Sequence, residues 1–342
     1  MRILRMATLI ADTASVDPRA VLGDGVEIGP YCVIGPQVEI GPGTRLIAHV
    51  CVPGPAVLGA RNVVHPFSVL GGDPQDISYR GEPTRLVIGD DNVIREHVTI
   101  NRGTAKDQGL TAIGHRNLLM AGVHVAHDCQ LGDDIVLANG TLLGGHVHIE
   151  DQVGLSGGVA VHHYVTIGRL AFIGGHSRII HDVPPYMLVD GNPSRVRCIN
   201  IVGLRRHGLA ESTIDALHEA HRLIFRGKMT IDQAAAVLES QVQPDRPIPD
   251  EVTRLLEFLR RQQSGRHGRG RELARGAGAS STSGPSLSGS TPLAAGKPTT
   301  VSPATSSSAP ANGKAQSDEP DQAASASVPV VSVEARGEEP TA

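Results

Sequence analysis

Aliphatic residues recur every six positions along most of this chain. The series Val16, Leu22, Ile28, Ile34, Ile40, Leu46, Val52, Leu58, Val64 and Leu70 runs unbroken. After an interruption equal to two hexads, Asp76 to Val87, it resumes in phase at Ile88, Ile94 and Ile100. A seven-residue break, Lys106 to Ala112, shifts the frame by one, and the pattern then runs in steps of six from Ile113 to Ile179. Of these 25 hexads twelve carry Gly directly after the aliphatic, and the fifth place is usually small or β-branched, as at Cys32, Thr44, Ala56, Ser68 and Thr141. A period of six is neither the 3.6 of a helix nor the 2 of an alternating strand. It predicts a short strand and a corner, repeated, with the aliphatic pointing inward and Gly easing the corner. Three such sides close an 18-residue triangular coil, and stacked coils make a parallel β-helix solenoid. The two interruptions are then loops leaving the prism, near 76–87 and 106–112, and the first is long enough to replace two sides.

The repeat ends at Asp182-Val-Pro-Pro185. Beyond it, Leu209, Ile214, Leu217 and Ile224 follow helical spacing, Thr230-Ile-Asp-Gln233 resembles a capping box, and Pro249 opens a further helix. The segment from Ser264 to Ala342 is rich in Ser, Ala, Pro, Gly and Thr and has no aromatic residue. The expected organisation is a β-helix over 7–190, an α-helical C-terminal domain over 191–262, and a disordered low-complexity tail over 263–342.

Composition agrees with a thin prism: 342 residues hold 40 Gly but only 4 Phe, 4 Tyr and no Trp, because rings have no room inside. So few aromatics also argue against a stacking platform for single-stranded nucleic acid. A net charge of −4, from 31 basic and 35 acidic residues, is too balanced to imply nucleic acid or a membrane surface. Cys32, Cys51, Cys129 and Cys198 lie far apart without a CxxC, so neither a disulfide framework nor a zinc knuckle is indicated. Cys32 and Cys129, at fifth positions of their hexads, read as core filler. The Met1–Met6 opening is too short for a signal peptide, Met6 is a second candidate start, and no apolar run approaches a membrane span. A cytoplasmic protein without a transmembrane segment is expected.

Of 16 histidines, twelve fall between His49 and His181. Gly145 lies 18 residues after His127 and His163 lies 36 after it, so the three share one column of the coil; Asp128 and His146 are also 18 apart. Three readings stand for this group: ordinary surface histidines, a polar cleft doing acid–base work, or zinc ligands, for which His176 with His181 or His146 with His148 offer pairs.

Certain motifs carry a resemblance. Asn117-Leu-Leu-Met120-Ala-Gly-Val-His124-Val-Ala-His127-Asp128, Gln75-Asp76 followed by Gly81-Glu-Pro-Thr-Arg85, Thr99-Ile-Asn-Arg-Gly-Thr104, Gly144-Gly-His146, Asp182-Val-Pro-Pro-Tyr186, Gly191-Asn-Pro193 and Asn200-Ile-Val-Gly-Leu-Arg-Arg206 resemble the UDP-N-acetylglucosamine O-acyltransferases, a family of left-handed β-helix hexapeptide acyltransferases. The likeness covers residues 7 to about 260. It implies the left hand of the coil, a homotrimer with clefts between subunits, and transfer of a 3-hydroxyacyl group from acyl carrier protein to UDP-N-acetylglucosamine in the first step of lipid A biosynthesis. No cofactor or metal is implied beyond the phosphopantetheine of the carrier protein. By match, His127 is the general base, Asp128 orients it, and Gly145 offers a backbone N–H to the oxyanion. Gln75, Asp76, His124, His146, His162 and His163 bind substrate, Asn200 and Arg206 the nucleotide. Gly175 sits where acyl-chain length is set, so a long donor is expected; Arg169, Arg178 or Arg206 steer the acidic carrier.

The chain also departs from the pattern. Ser78 stands where the family commonly has Lys, with Arg80 as the nearby replacement, and His163 and Val202 differ from the usual amide and acid. A γ-type carbonic anhydrase, with zinc on His176 and His181, and another hexapeptide acyltransferase are the competing readings; positions 140 and 145, both Gly, lack the third ligand of the first.

Overall fold

A computed structural model describes residues 7–240 and 248–272. The expected tail beyond Glu272 and the Met1–Met6 start lie outside the described residues. Short strands, mostly two residues long, stack into three ladders that form the faces of a left-handed parallel β-helix. Pairing follows the repeat: Ile28 lies beside Leu46 and Leu131 beside Ile149, each one 18-residue coil away. Across the interruptions the offset grows, so that Val64 pairs with Ile94 and Ile100 with Val125.

The hexad leaders form the core. Leu46, Val64, Ile94, Leu119 and Leu137 are at most 1% exposed, and each such side chain contributes about 1.5–3 kcal/mol by leaving water. The corner after a leader often has no room for a side chain: a Cβ on Gly29 would lie 1.8 Å from the carbonyl oxygen of Ile47 on the next coil. Asparagines at the fifth position add an internal polar ladder. The Asn92 backbone N–H donates to Oδ1 of Asn62 (2.9 Å), and the Asn117 N–H to Oδ1 of Asn92 (2.9 Å), so the corner amides of successive coils are satisfied inside the prism. Cys32 and Cys129 are buried. Aromatic rings stack outside, on one corner, as Tyr31, His49, Phe67 and His97 with centroids 4.9–5.1 Å apart.

The interruptions do not replace faces. Strand Val69–Gly72 lies on one face and Arg85–Ile88 on the next, so residues 73–84 leave and re-enter at a single corner. Residues 102–109 do the same between Thr99–Asn101 and Leu110–Ile113, at the same corner one coil on. Twelve residues equal two sides arithmetically, but Leu86, Val87 and Ile88 pair with Ala56, Val57 and Leu58 and hold that face intact.

After the last coil, Met187–Gly191 and Ser194–Ile199 form an antiparallel hairpin that extends one ladder. Asn200 caps a short helix, Ile201–Arg206, which precedes the expected ones. Helices Glu211–His221, Ile231–Ser240 and Asp250–Ser264 follow. The capping box is reciprocal: Thr230 N–H donates to Gln233 Oε1 (3.0 Å) and Gln233 N–H to Thr230 Oγ1 (3.2 Å). Residues 265–272, expected in a disordered tail, instead turn back against the prism: Gly270 N–H donates to Asp182 Oδ2 (2.7 Å) and Arg269 to the Ile180 carbonyl (2.8 Å). Composition reads this stretch as tail because its ties are to residues nearly ninety positions earlier.

Candidate active site

The corner from which both loops leave carries, on the coils just above, His127–Asp128, Gly145–His146 and His163–Tyr164. Asp128 and His146 adopt left-handed backbone angles, φ 60° and 61°, which turn their side chains along the corner. His127 Nδ1 lies 2.8 Å from Asp128 Oδ2. Asp128 is 1% exposed, and its carboxylate also accepts from the Thr104 backbone N–H (2.7 Å) and hydroxyl (2.6 Å). An acceptor-only group so surrounded requires the proton on Nδ1, which leaves Nε2 of His127 as the basic nitrogen. Gly145, one coil on, lies over that ring: a Cβ there would stand 2.6 Å from His127 Cε1 and 2.9 Å from Nε2. No acceptor among the described residues takes the Gly145 N–H.

His146 is 5% exposed rather than open to a cleft. Its ring stacks on Tyr164 (4.4 Å between centroids), meets His127 edge-on (5.2 Å), and donates from Nδ1 to Asp107 Oδ2 (3.1 Å). From the carboxy-terminal segment, Arg271 donates to the His146 carbonyl (3.0 Å). His124 Nδ1 is 2.8 Å from Thr99 Oγ1, and burial, then the charge of His127, lowers its pKa. His162 and His163 lie ring against ring (3.8 Å). Partial burial and the neighbouring His162 also push the His163 pKa down.

On the first loop, Gln75 is exposed and Asp76 half-buried. Lys106 Nζ donates to both Asp76 oxygens (2.6 and 2.9 Å), and the Ser78 N–H and hydroxyl donate to Oδ1 (2.8 Å each). These partners, the Lys106 ammonium foremost, hold the Asp76 carboxyl well below the usual carboxylate range.

Other positions serve the scaffold or stand apart. Asn200 uses both ends of its amide, accepting from Gly203 N–H (3.1 Å) and donating to the Leu170 carbonyl (2.9 Å). Arg206 is exposed on the helix that Asn200 caps. Neither shares a hydrogen bond or ion pair with the histidine group among the described residues. Gly175 is exposed, and a Cβ there would meet nothing closer than 3.4 Å.

Ligand atoms of His127, Asp128 and His146 fall within 4.8 Å of one another, a spacing compatible with a metal ion. Each is already engaged, Asp128 by Thr104 and His127, and His146 by Asp107. His181 Nδ1 donates to the His267 carbonyl (2.6 Å), which removes that nitrogen as a ligand.

Residues 182–270 match the family described as UDP N-acetylglucosamine O-acyltransferase, domain 2, and residues 7–42 the bacterial transferase hexapeptide family. The acyl-[acyl-carrier-protein]–UDP-N-acetylglucosamine O-acyltransferase of Syntrophobacter fumaroxidans is 47% identical over 251 residues, covering 73% of this chain and 96% of that protein. The chain belongs to this O-acyltransferase family.

Solved structures agree with that membership. LpxA from Acinetobacter baumannii superposes with a TM-score of 0.69 at 45% identity, over 73% of this chain and 96% of that one. The UDP-N-acetylglucosamine acyltransferase of Bacteroides fragilis gives 0.70 at 36% identity, over 74% and 97%. As an O-acyltransferase the chain must deprotonate a hydroxyl and bind an oxyanion, and the His127–Asp128–Gly145 corner offers the groups for both. The sequence reading missed Thr104, Asp107 and Arg271.

Proposed function

We propose that this enzyme transfers a 3-hydroxyacyl group from acyl carrier protein to the 3-hydroxyl of UDP-N-acetylglucosamine, the first step of lipid A biosynthesis. The observation that carries the reading is the His127–Asp128 pair, whose 2.8 Å hydrogen bond leaves Nε2 of His127 as the base. In the reaction, Nε2 takes the proton of the sugar hydroxyl as its oxygen attacks the thioester carbonyl. The Gly145 N–H binds the oxygen that becomes negative. When the carbon–sulfur bond breaks, the imidazolium returns the proton to the departing phosphopantetheine thiolate, and Asp128 supports the positive ring meanwhile.

Gln75, Asp76, His124, His162 and His163 bind substrate around this centre, and His146 braces the His127 ring from behind. Asn200 and Arg206 bind nucleotide, in our reading, across the cleft of a homotrimer. Gly175 leaves the acyl slot long. Arg169, Arg178 and Arg206 are available to steer the carrier protein. The work is done in the cytoplasm with no metal or other cofactor; among the described residues no helix is long and apolar enough to cross a membrane.

The deciding assay is acyl transfer to UDP-N-acetylglucosamine from carrier proteins bearing 3-hydroxyacyl chains of defined length. Product with a 3-O-acyl sugar is expected, fastest with the longer chains. No transfer from any donor overturns the reading.

A further inference from the structure

Lys106 sits on the second loop, and its ammonium crosses to the first loop to grip both oxygens of Asp76, at 2.6 and 2.9 Å. Two neighbours of Lys106 anchor its own loop to the reactive corner: Thr104 to Asp128 and Asp107 to His146. The first loop is therefore tied to the segment that holds the catalytic carboxylate by this ion pair at Asp76, and also by Arg102, which pairs with Asp73 and donates to the Tyr79 hydroxyl (3.0 Å).

Position 78 explains why a cation from outside the loop is used. The Ser78 N–H and hydroxyl both reach Asp76 Oδ1 at 2.8 Å, so a side chain at 78 is directed at that carboxylate, yet serine brings no charge. Arg80 does not fill the role. Its guanidinium folds back on its own loop, donating to the carbonyls of Ile77 (2.7 Å) and Tyr79 (2.9 Å). If the proposed function brings a nucleotide diphosphate to this loop, an unneutralised Asp76 would repel it, because like charges at contact distance repel even in a partly aqueous site.

We propose that Lys106 is a positioning residue for the acceptor sugar nucleotide: it fixes and neutralises Asp76 and supplies the positive charge that residue 78 lacks in this chain. The inference rests on the proposed function and adds the residue by which Asp76, within that loop, is set. Because the Lys106 side chain is about half exposed (53%), the pair is screened by salt and its effect is moderate.

Steady-state kinetics on the full chain, with UDP-N-acetylglucosamine varied at low and high salt, tests this. Lys106→Ala is expected to raise KM for the sugar nucleotide by about 3–10-fold with kcat within about twofold. Lys106→Arg should keep most of the affinity, and adding Ser78→Lys to Lys106→Ala should recover it. Raising salt should weaken the wild type more than Lys106→Ala. An unchanged KM in Lys106→Ala, a fall in kcat alone, or no recovery by Ser78→Lys overturns the proposal while wild-type transfer stands. Absence of wild-type transfer instead defeats the reading of function, and this inference with it.

Discussion

Nδ1 of His127 lies 2.8 Å from Oδ2 of Asp128, and that carboxylate is in turn held by both the backbone N–H and the hydroxyl of Thr104. The pair is thus clamped from below by the loop that breaks the hexad frame. His127→Ala should lower kcat by about 10²–10⁴-fold, as loss of a general base does. Asp128→Asn should cost about as much, since an amide cannot accept every hydrogen bond now made and would leave the ring in the wrong tautomer. Acyl transfer rates on folded variants check both. Undiminished activity in His127→Ala would remove the central assignment.

Gly145 is fixed by contact. Its Cβ would stand 2.6 Å from His127 Cε1, so Gly145→Ala must displace the imidazole. A shift approaching 1 Å costs about 100-fold in rate. The expected result is a kcat loss of that order with an unchanged melting temperature; a wild-type rate would show that the ring does not need the space Gly145 leaves.

Gly175→Met should fold normally, because the new Cβ would rest 3.4 Å from the Gly157 carbonyl and 3.8 Å from Ser156 Cβ. Its side chain would occupy the acyl slot. The ratio of kcat/KM for long over short 3-hydroxyacyl donors should fall by about tenfold or more. An unaltered chain preference would place the end of the slot elsewhere.

His148, on the face next to the site, gives a stability test. Burial, then the charges of Arg271 and Arg261, push its pKa down to about 4 from the ordinary 6.5. Between those values the unfolded chain binds the proton and the folded one does not. Stability is therefore full above about pH 6.5, is lost as the pH falls toward 4, and levels off below it. The loss from this residue amounts to about 2 kcal/mol at pH 5. Urea midpoints at pH 7.5 and 5 should fall further for the wild type than for His148→Gln. Equal falls in the two proteins would refute the assignment.

Much of this was legible from one dimension. A strict six-residue step of Val, Leu and Ile admits one economical geometry, since each short side must bury one aliphatic and turn. Coil stacking at a fixed offset places Gly145 over His127 and His146 near Asp128 from the spacing alone. Loop positions and helical segments followed from where the step failed. The sequence could not show that both loops leave from one corner, because an insertion of twelve fits a replaced pair of faces as well as an excursion. Nor could it show that Thr104 holds Asp128, that Lys106 holds Asp76, or that Arg271 returns to His146, for these contacts join residues 24, 30 and 125 positions apart. Periodicity determines what repeats, and so the prism and its columns. Contacts made by segments outside the repeat depend on where the chain travels in three dimensions, and only the tertiary structure decided them.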